Sequence, residues 1–281
     1  MGHVLALRSD GTVAGAGFNL QGQATGVSSS NPDSGKGLVT IGGGPLSNIV
    51  SIAAGQYFSL ALTRDGRVIA WGEAKVPKGL SDVVAIAARG DLCLALKADG
   101  TVTDWGTKPW VHPHVPSDVS NVVAIAAGGP GEGSAERSMA LRKDGKVIVW
   151  GGASPPEEPS PPELTNAVAI ASGGGFSLAL KSDGTVYGWG FNSDGTATGV
   201  PPSGSQASER YACGLVRIDG QILTNVVSIA AGTGFGVAVK SDGTVVSWGD
   251  KRHYLGAPPT GLSNIVAVAV SDQFGVAIQK Q

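Results

Sequence analysis

The residues of this 281-residue sequence best suited to chemistry are four histidines, two cysteines and one adjacent pair of glutamates. His112 and His114 stand two apart in Pro109-Trp110-Val111-His112-Pro113-His114. Zinc takes three or four protein ligands, and the segment offers no others, so a proline-rich exposed loop is expected there. His253 has no evident partner, and Glu157-Glu158 lies beside prolines, as a solvated loop would. Cys93 sits inside the apolar run 92–96, where a buried free thiol behaves as a small hydrophobe. Cys213 lies in a polar, glycine-rich stretch, and two cysteines are too few for a disulfide framework. Gly173-Gly174-Gly175 lacks the Lys-Ser/Thr and following helix of a phosphate loop, and no Gly-x-Ser-x-Gly elbow leads into a helix. No catalytic, metal or cofactor site is expected. The sequence points away from an enzyme.

The bulk composition narrows the partners. Charged residues make up 15% and the formal net charge is -2, which leaves no electrostatic footprint for nucleic acid or an anionic membrane. No apolar stretch reaches the roughly 18–20 residues of a membrane-spanning helix. With 42% apolar residues the chain can bury a substantial core despite 44 glycines and 16 prolines. The start, Met1-Gly2-His3-Val4, enters a strand pattern at once, without room for a secretory leader. An intracellular protein and a trimmed secreted or cell-surface fragment both fit.

The elements that would position any functional residue come from an internal repeat. Residues 59–72 run Ser-Leu-Ala-Leu-Thr-Arg-Asp-Gly-Arg-Val-Ile-Ala-Trp-Gly. Close copies occupy 94–106, 138–151, 177–190 and 236–249. A further copy at 4–17 carries Ala16 in place of Trp, and a half-copy runs from Phe274 to the last residue, Gln281. A second element, Asn-hydrophobic-Val-x-Ile-Ala-Ala-Gly, precedes six of these from 48, 82, 121, 166, 225 and 264. The runs are four to six residues long, rich in Val and Ile and bounded by Gly, Asn or Asp, as strands are. Asp-Gly recurs between the second and third strands at 10–11, 65–66, 99–100, 144–145, 183–184 and 242–243. That dipeptide suits a two-residue type I′ hairpin turn.

The Ala-Ala-Gly strand has small side chains suited to the crowded centre of a ring, and its Gly allows close backbone approach. The Trp of each Trp-Gly fills the wider gap between neighbouring sheets further out. Small inside and large outside is the taper of a wedge-shaped blade. The expected fold is therefore all-β: one β-propeller domain over residues 1–281, built of four-stranded units, its ring closed by N- and C-terminal strands sharing a sheet. Two insertions match each other: 17–27 parallels 190–200, and each continues through Gly-Leu-Val-x-Ile. Each is expected to add a strand pair to its unit.

These repeats resemble the regulator of chromosome condensation repeat family, and the chain is similar to its compact bacterial type. The resemblance lies in the Ala-Ala-Gly strand, a second strand opening on His3 or on Phe58, Phe176, Phe235 and Phe274, the Asp-Gly turn, the Trp-Gly strand, and Phe18-Asn19-Leu20-Gln21-Gly22-Gln23. It implies a propeller of seven blades, although the strand count also admits six. It also implies a structural, hydrogen-bonded role for His3.

The uses known in the family set further expectations. Nucleotide exchange with chromatin docking would call for a basic tail that is absent here. Light sensing would call for a tryptophan cluster, but five of six Trp belong to the repeat. A β-lactamase inhibitor of this type relies on aromatics in the turns between first and second strands, and of those turns here only Tyr57 is aromatic. Those turns would nevertheless gather on one face, and protein interfaces take most of their energy from a few Tyr, Trp or Arg anchors. A protein partner of unknown identity is expected there. The candidate contacts are Gln56, Tyr57, Asp91, Glu132, Glu136, Arg137, Asp272 and Gln273. A structural or engineered propeller without a specific partner is the alternative.

Overall fold

The computed structural model describes residues 2–31, 35–108, 114–129, 136–151, 164–203, 210–250, 262–270 and 275–280. Among these the chain is antiparallel β throughout, and its main sheets follow one another as seven successive units. The first comprises His3–Leu7, Val13–Gly17 and Gly35–Leu38. The second is Ile49–Ala54, Phe58–Thr63 and Val68–Gly72, and the third Val83–Arg89, Leu92–Lys97 and Val102–Gly106. The fourth is Val122–Gly128, Arg137–Arg142 and Val147–Gly151. Ala167–Ser172, Phe176–Lys181, Val186–Phe191 and Tyr211–Leu215 form the fifth. The sixth is Val226–Ala231, Phe235–Lys240 and Val245–Gly249, and the seventh is the pair Ile265–Val270 and Gly275–Gln279.

Each inner strand packs against the inner strand of the next unit from the second sheet onward, which places the Ala-rich strands at the axis of a propeller. The indoles fill the gaps as the sequence implies. Trp71 packs with Val13, Val39 and Ile49; Trp105 with Phe58 and Leu60; Trp150 with Leu92 and Leu94; Trp189 with Met139; and Trp248 with Phe176 and Leu178. Each Trp thus joins a cluster with residues of the preceding unit.

Three expectations are corrected. The Asp-Gly turns are not type I′, because only the Gly has positive φ: Gly11 at 77°, Gly66 at 79° and Gly100 at 81°. Gly11 N–H donates to Arg8 O at 3.0 Å and Arg8 N–H to Thr12 O at 2.9 Å. That is a type I turn followed by a left-handed glycine, the three-residue hairpin with a G1 bulge. The Asp carboxylate favours it by accepting from the residue two positions on, as Thr12 N–H and hydroxyl do with Asp10 Oδ1.

Among the described residues four strands are found only in the fifth sheet, whose insertion supplies Tyr211–Leu215 against Val186–Phe191. The first sheet gains Gly35–Leu38 in the same way. Each insertion then folds a separate two-residue hairpin, Thr40–Ile41 with Gly44–Pro45 and Arg217–Ile218 with Gln221–Ile222. In the second and third units the short connections form no fourth strand among their described residues.

Among the described residues the terminal strands do not share a sheet. Ile265–Val270 pairs with Gly275–Gln279, and His3–Leu7 with Val13–Gly17. The nearby copy of the second strand takes the edge that His3–Leu7 would need, because closing a short loop costs far less entropy than joining distant segments.

The units are tied together at the hairpin ends. The first N–H of each inner strand donates to the turn glycine of the unit before, as in Ile49 N–H to Gly11 O at 3.0 Å and Val226 N–H to Gly184 O at 3.0 Å. The residue before the inner strand turns into this contact with positive φ at Asn48, Asp82, Asn121, Asn225 and Asn264. Asn and Asp tolerate that conformation best among non-glycine residues, which accounts for the recurring Asn.

Candidate functional site

The opposite face carries the turns between inner and second strands. Register places Tyr57, Asp91 and Glu136 at one repeat position in consecutive units, each just before the second strand; Gly175 and Gly234 follow in the fifth and sixth. The residue after each Trp-Gly is pinned beside them: Glu73 N–H donates to Tyr57 O, Thr107 N–H to Asp91 O, Phe191 N–H to Gly175 O and Asp250 N–H to Gly234 O, at 2.8–3.1 Å. The glycine between must be glycine: a Cβ on Gly72, at φ +82°, would stand 2.4 Å from Tyr57 O. Nearer the axis the turns bond to one another, through Gln56 N–H to Gly90 O, Gly129 N–H to Gly173 O and Gly174 N–H to Gly232 O.

Two predicted residues meet directly. Asp91 and Glu136 are both buried, each 7% exposed. The Glu136 Oε1 accepts the Asp91 backbone N–H, and the Asp91 carboxylate accepts the Thr107 hydroxyl. Burial pushes the Glu136 carboxyl up to about 7. The Asp91 N–H opposes that rise, the Asp91 charge adds to it, and the Arg89 guanidinium again opposes it. Glu136 Oε2 is buried with no hydrogen-bond partner among the described residues.

The remaining predicted residues spread along the same face. Tyr57 is half-buried with its ring 6.3 Å from Phe18, and Gln56 takes part through its backbone. Arg137 is not in the turn but opens the second strand, paired with Gly151 where other units have Phe, Leu or His3, and its guanidinium lies 3.5 Å from Ser177 Oγ. Glu132, Asp272 and Gln273 lie outside the described residues, as do His112, His253 and Glu157-Glu158. His3 is buried and 2.7 Å from Ser59 Oγ, a packed, hydrogen-bonded position that holds its imidazole down to about 4 through burial.

Arg89 was not among the residues expected from sequence. It occupies the place that Gly55, Gly128, Gly173 and Gly232 hold in other units. Its Nε donates to Gly129 O at 3.1 Å, and its Nη2 donates to Thr233 Oγ1 at 3.0 Å, reaching from the third unit to the sixth. The signal was present as Ala-Ala-Arg in a series of Ala-Ala-Gly. A second aromatic pair was also missed: Phe191, partly exposed, meets Tyr211 edge-on at 6.0 Å beside Gly175. The face therefore holds a central arginine flanked by two aromatic pairs. Among the described residues no group of three or more His, Cys, Asp and Glu forms a metal cluster.

Wedge-shaped sheets, inner strands at an axis and indoles between neighbours define a β-propeller. The chain carries regulator of chromosome condensation (RCC1) repeats, matched over residues 49–74, 167–196 and 226–254. Its fold is that of RCC1 propellers. Yeast RCC1 (Prp20), solved bound to Kap60, aligns with a TM-score of 0.71 and 22% identity, over 100% of this chain and 79% of that one. Prp20p from Saccharomyces cerevisiae gives 0.72 and 22%, over 98% and 80%. Human WBSCR16 gives 0.64 and 23%, over 85% and 70%. No curated protein matches the chain in sequence.

Proposed function

We propose that this chain is a non-enzymatic binding propeller that contacts a protein partner through the face bearing Tyr57, Arg89, Phe191 and Thr233. The observation that carries the reading is the Arg89 bridge to Gly129 and Thr233, which joins the turns of three units into one preorganised surface. A prearranged surface loses less entropy on binding, and Tyr and Arg are the side chains from which interfaces draw most energy. Among the solved structures similar in fold, yeast RCC1 (Prp20) is bound to Kap60 and Prp20p binds Gsp1p and histones; those partners belong to those proteins. Low charge supports a protein rather than a nucleic-acid partner. Among the described residues no helix is long and apolar enough to cross a membrane.

Photo-crosslinking tests this. A photoreactive residue at position 57 or 233, in extract of the source organism, is expected to trap the same protein. The same probe at 65 or 99, on the hairpin face, is expected to trap none of it. Trapping from the hairpin face alone, or from neither, contradicts the reading.

A further inference from the structure

Six inner strands begin with the same irregularity at the same residue type. Ile49 pairs with Thr63 and Ser51 with Leu62, so Val50 between them is a β-bulge with no residue opposite it. Val84, Val123, Val168, Val227 and Val266 are bulged in the same way. A bulge re-aims the side chain it carries. All six valines are between 42% and 56% exposed, although each follows a buried apolar residue. A single exposed valine is ordinary. Here consecutive inner strands pack against each other round the axis, so the valines follow one another at its hairpin end. Apolar surface gathered in this way marks interaction sites.

A second repeated bond fixes which hairpin residue stands next to each valine. Arg64 N–H donates to Asn48 O and Lys143 N–H to Asn121 O, two residues before Val50 and Val123, and Lys280 N–H does the same with Asn264 O. Further out, the turn aspartates are each met by a cation of their own hairpin: Asp10 by Arg8, Asp65 by Arg67, Asp99 by Lys97, Asp144 by Arg142 and Asp183 by Lys181. Arg64 and Lys143 are exposed and form no ion pair among the described residues. Against them stands Asp82, the one acid at the Asn position among the described residues. Beside Lys143 opens a groove of about 350 Å³ lined by Asn121, Arg142, Lys143 and Asp144. The excess charge around the valines is therefore positive.

We infer that the hairpin end of the axis is a docking site for an acidic polypeptide segment with bulky apolar side chains, which cover Val50, Val84 and Val123 while its carboxylates meet Arg64 and Lys143. Charge complementarity of this kind sets which partner is accepted, and the buried apolar contact supplies the affinity. A second copy of the chain is a poor occupant, because it would set Arg64 and Lys143 against their own equals. A flat anionic bilayer would first meet the aspartates of the surrounding turns. This surface lies at the opposite end of the axis from the turn face and does not depend on the function proposed for it.

The probe is a fluorescein-labelled peptide Asp-Glu-Leu-Phe-Leu-Glu-Asp, titrated into the intact chain by anisotropy at low salt. Saturable binding is expected, at least tenfold weaker for the peptide with serine at its three apolar positions and for the peptide with lysine at its four acidic ones. The double variant Val84→Ser, Val123→Ser is expected to weaken binding fivefold or more, and Arg64→Glu with Lys143→Glu tenfold or more. All four side chains are exposed or half-exposed, and melting curves show that each variant is folded. Val27→Ser, at a valine 60% exposed on the first insertion, is expected to leave binding unchanged. The proposal is overturned by no saturable binding, by equal binding of the three peptides, or by folded variants that bind as the parent does. A concentration-dependent dimer dissolved by the valine variant would also overturn it, assigning the valines to self-association. So would binding to phosphatidylglycerol vesicles that the same variant abolishes, which would assign them to a membrane.

Discussion

Arg89 and Thr233 are joined by a 3.0 Å hydrogen bond, although 144 residues separate them and two units lie between theirs in the chain. A bond of that reach forms only if the third and sixth inner strands converge at one end of an axis. The same side chain holds Gly129 O and lowers the Glu136 carboxyl against the effect of burial.

Arg89→Gly restores the residue of the other units and removes both bonds. Hydrogen bonds from charged groups contribute about 1.5–3 kcal/mol, less where solvent reaches them. Denaturant unfolding is expected to show a loss of about 1–2 kcal/mol. NMR titration of the variant is expected to show the Glu136 carboxyl rising further, since its nearby cation is gone. An unchanged Glu136 titration would separate the two residues.

Two buried groups give opposing pH dependences. Glu136 is held up to about 7 when folded, against an ordinary 4.5. Between those values the folded chain keeps a proton the unfolded chain has released, so stability falls as pH rises from about 4.5 to about 7. His3 is held down to about 4 against 6.5. Between those values the unfolded chain binds a proton the folded chain does not, so stability falls as pH drops from about 6.5 to about 4. The turn aspartates, lowered by bonds to the following threonine, act only below about pH 4. Urea midpoints are expected to vary little with pH in the parent chain. Glu136→Gln should leave a midpoint that rises with pH, and His3→Phe one that falls.

The five indoles are equivalent in sequence but not in bonding. Trp71 Nε1 donates to Gln23 O at 2.9 Å and Trp248 Nε1 to Thr196 O at 3.0 Å, both carbonyls lying in the matched insertions. Trp105 and Trp150 bury Nε1 with no acceptor among the described residues. Trp→Phe at 248 removes the indole's bond to the Thr196 carbonyl and is expected to cost about 1–3 kcal/mol more than the same change at 105 or 150, whereas at 71 the Gln23 carbonyl keeps the Ser59 hydroxyl and the extra cost is expected to be smaller. Equal losses would mean that the loop bonds contribute nothing.

Cys93 is buried, and burial together with the Glu136 and Asp91 charges pushes its thiol well above the ordinary range, whereas Cys213 is exposed. A thiol reagent at pH 8 is expected to titrate one cysteine in the folded chain and two after denaturation. Rapid reaction of both in the folded chain would contradict the packing of Leu92–Lys97.

The sequence disclosed what repeats. Asp-Gly, Ala-Ala-Gly and Trp-Gly each recur, and each recurrence tests the same local physics, so strands, hairpins and inter-sheet indoles were foreseeable. The turn type was not, because types I′ and I with a G1 bulge both place glycine at positive φ and differ in the backbone before it and in loop length. The site was legible in part. Asp91 and Glu136 were picked as turn residues, but their burial against each other depends on how the third and fourth units pack. Arg89 departs from its repeat by one residue, and its value lies in the distance to Thr233, which no local pattern encodes. Phe191 and Tyr211 lie 20 residues apart and meet because the insertion returns as a fourth strand.

The most direct test compares two surface variants for binding to the protein trapped at position 57. One carries Tyr57→Ala, Arg89→Ala and Phe191→Ala on the turn face; the other carries Arg8→Ala, Arg67→Ala and Lys181→Ala on the hairpin face. Binding measured by surface plasmon resonance is expected to weaken at least a hundredfold in the first and to change less than threefold in the second. Full binding by the first variant, or loss confined to the second, would contradict the assignment of the turn face.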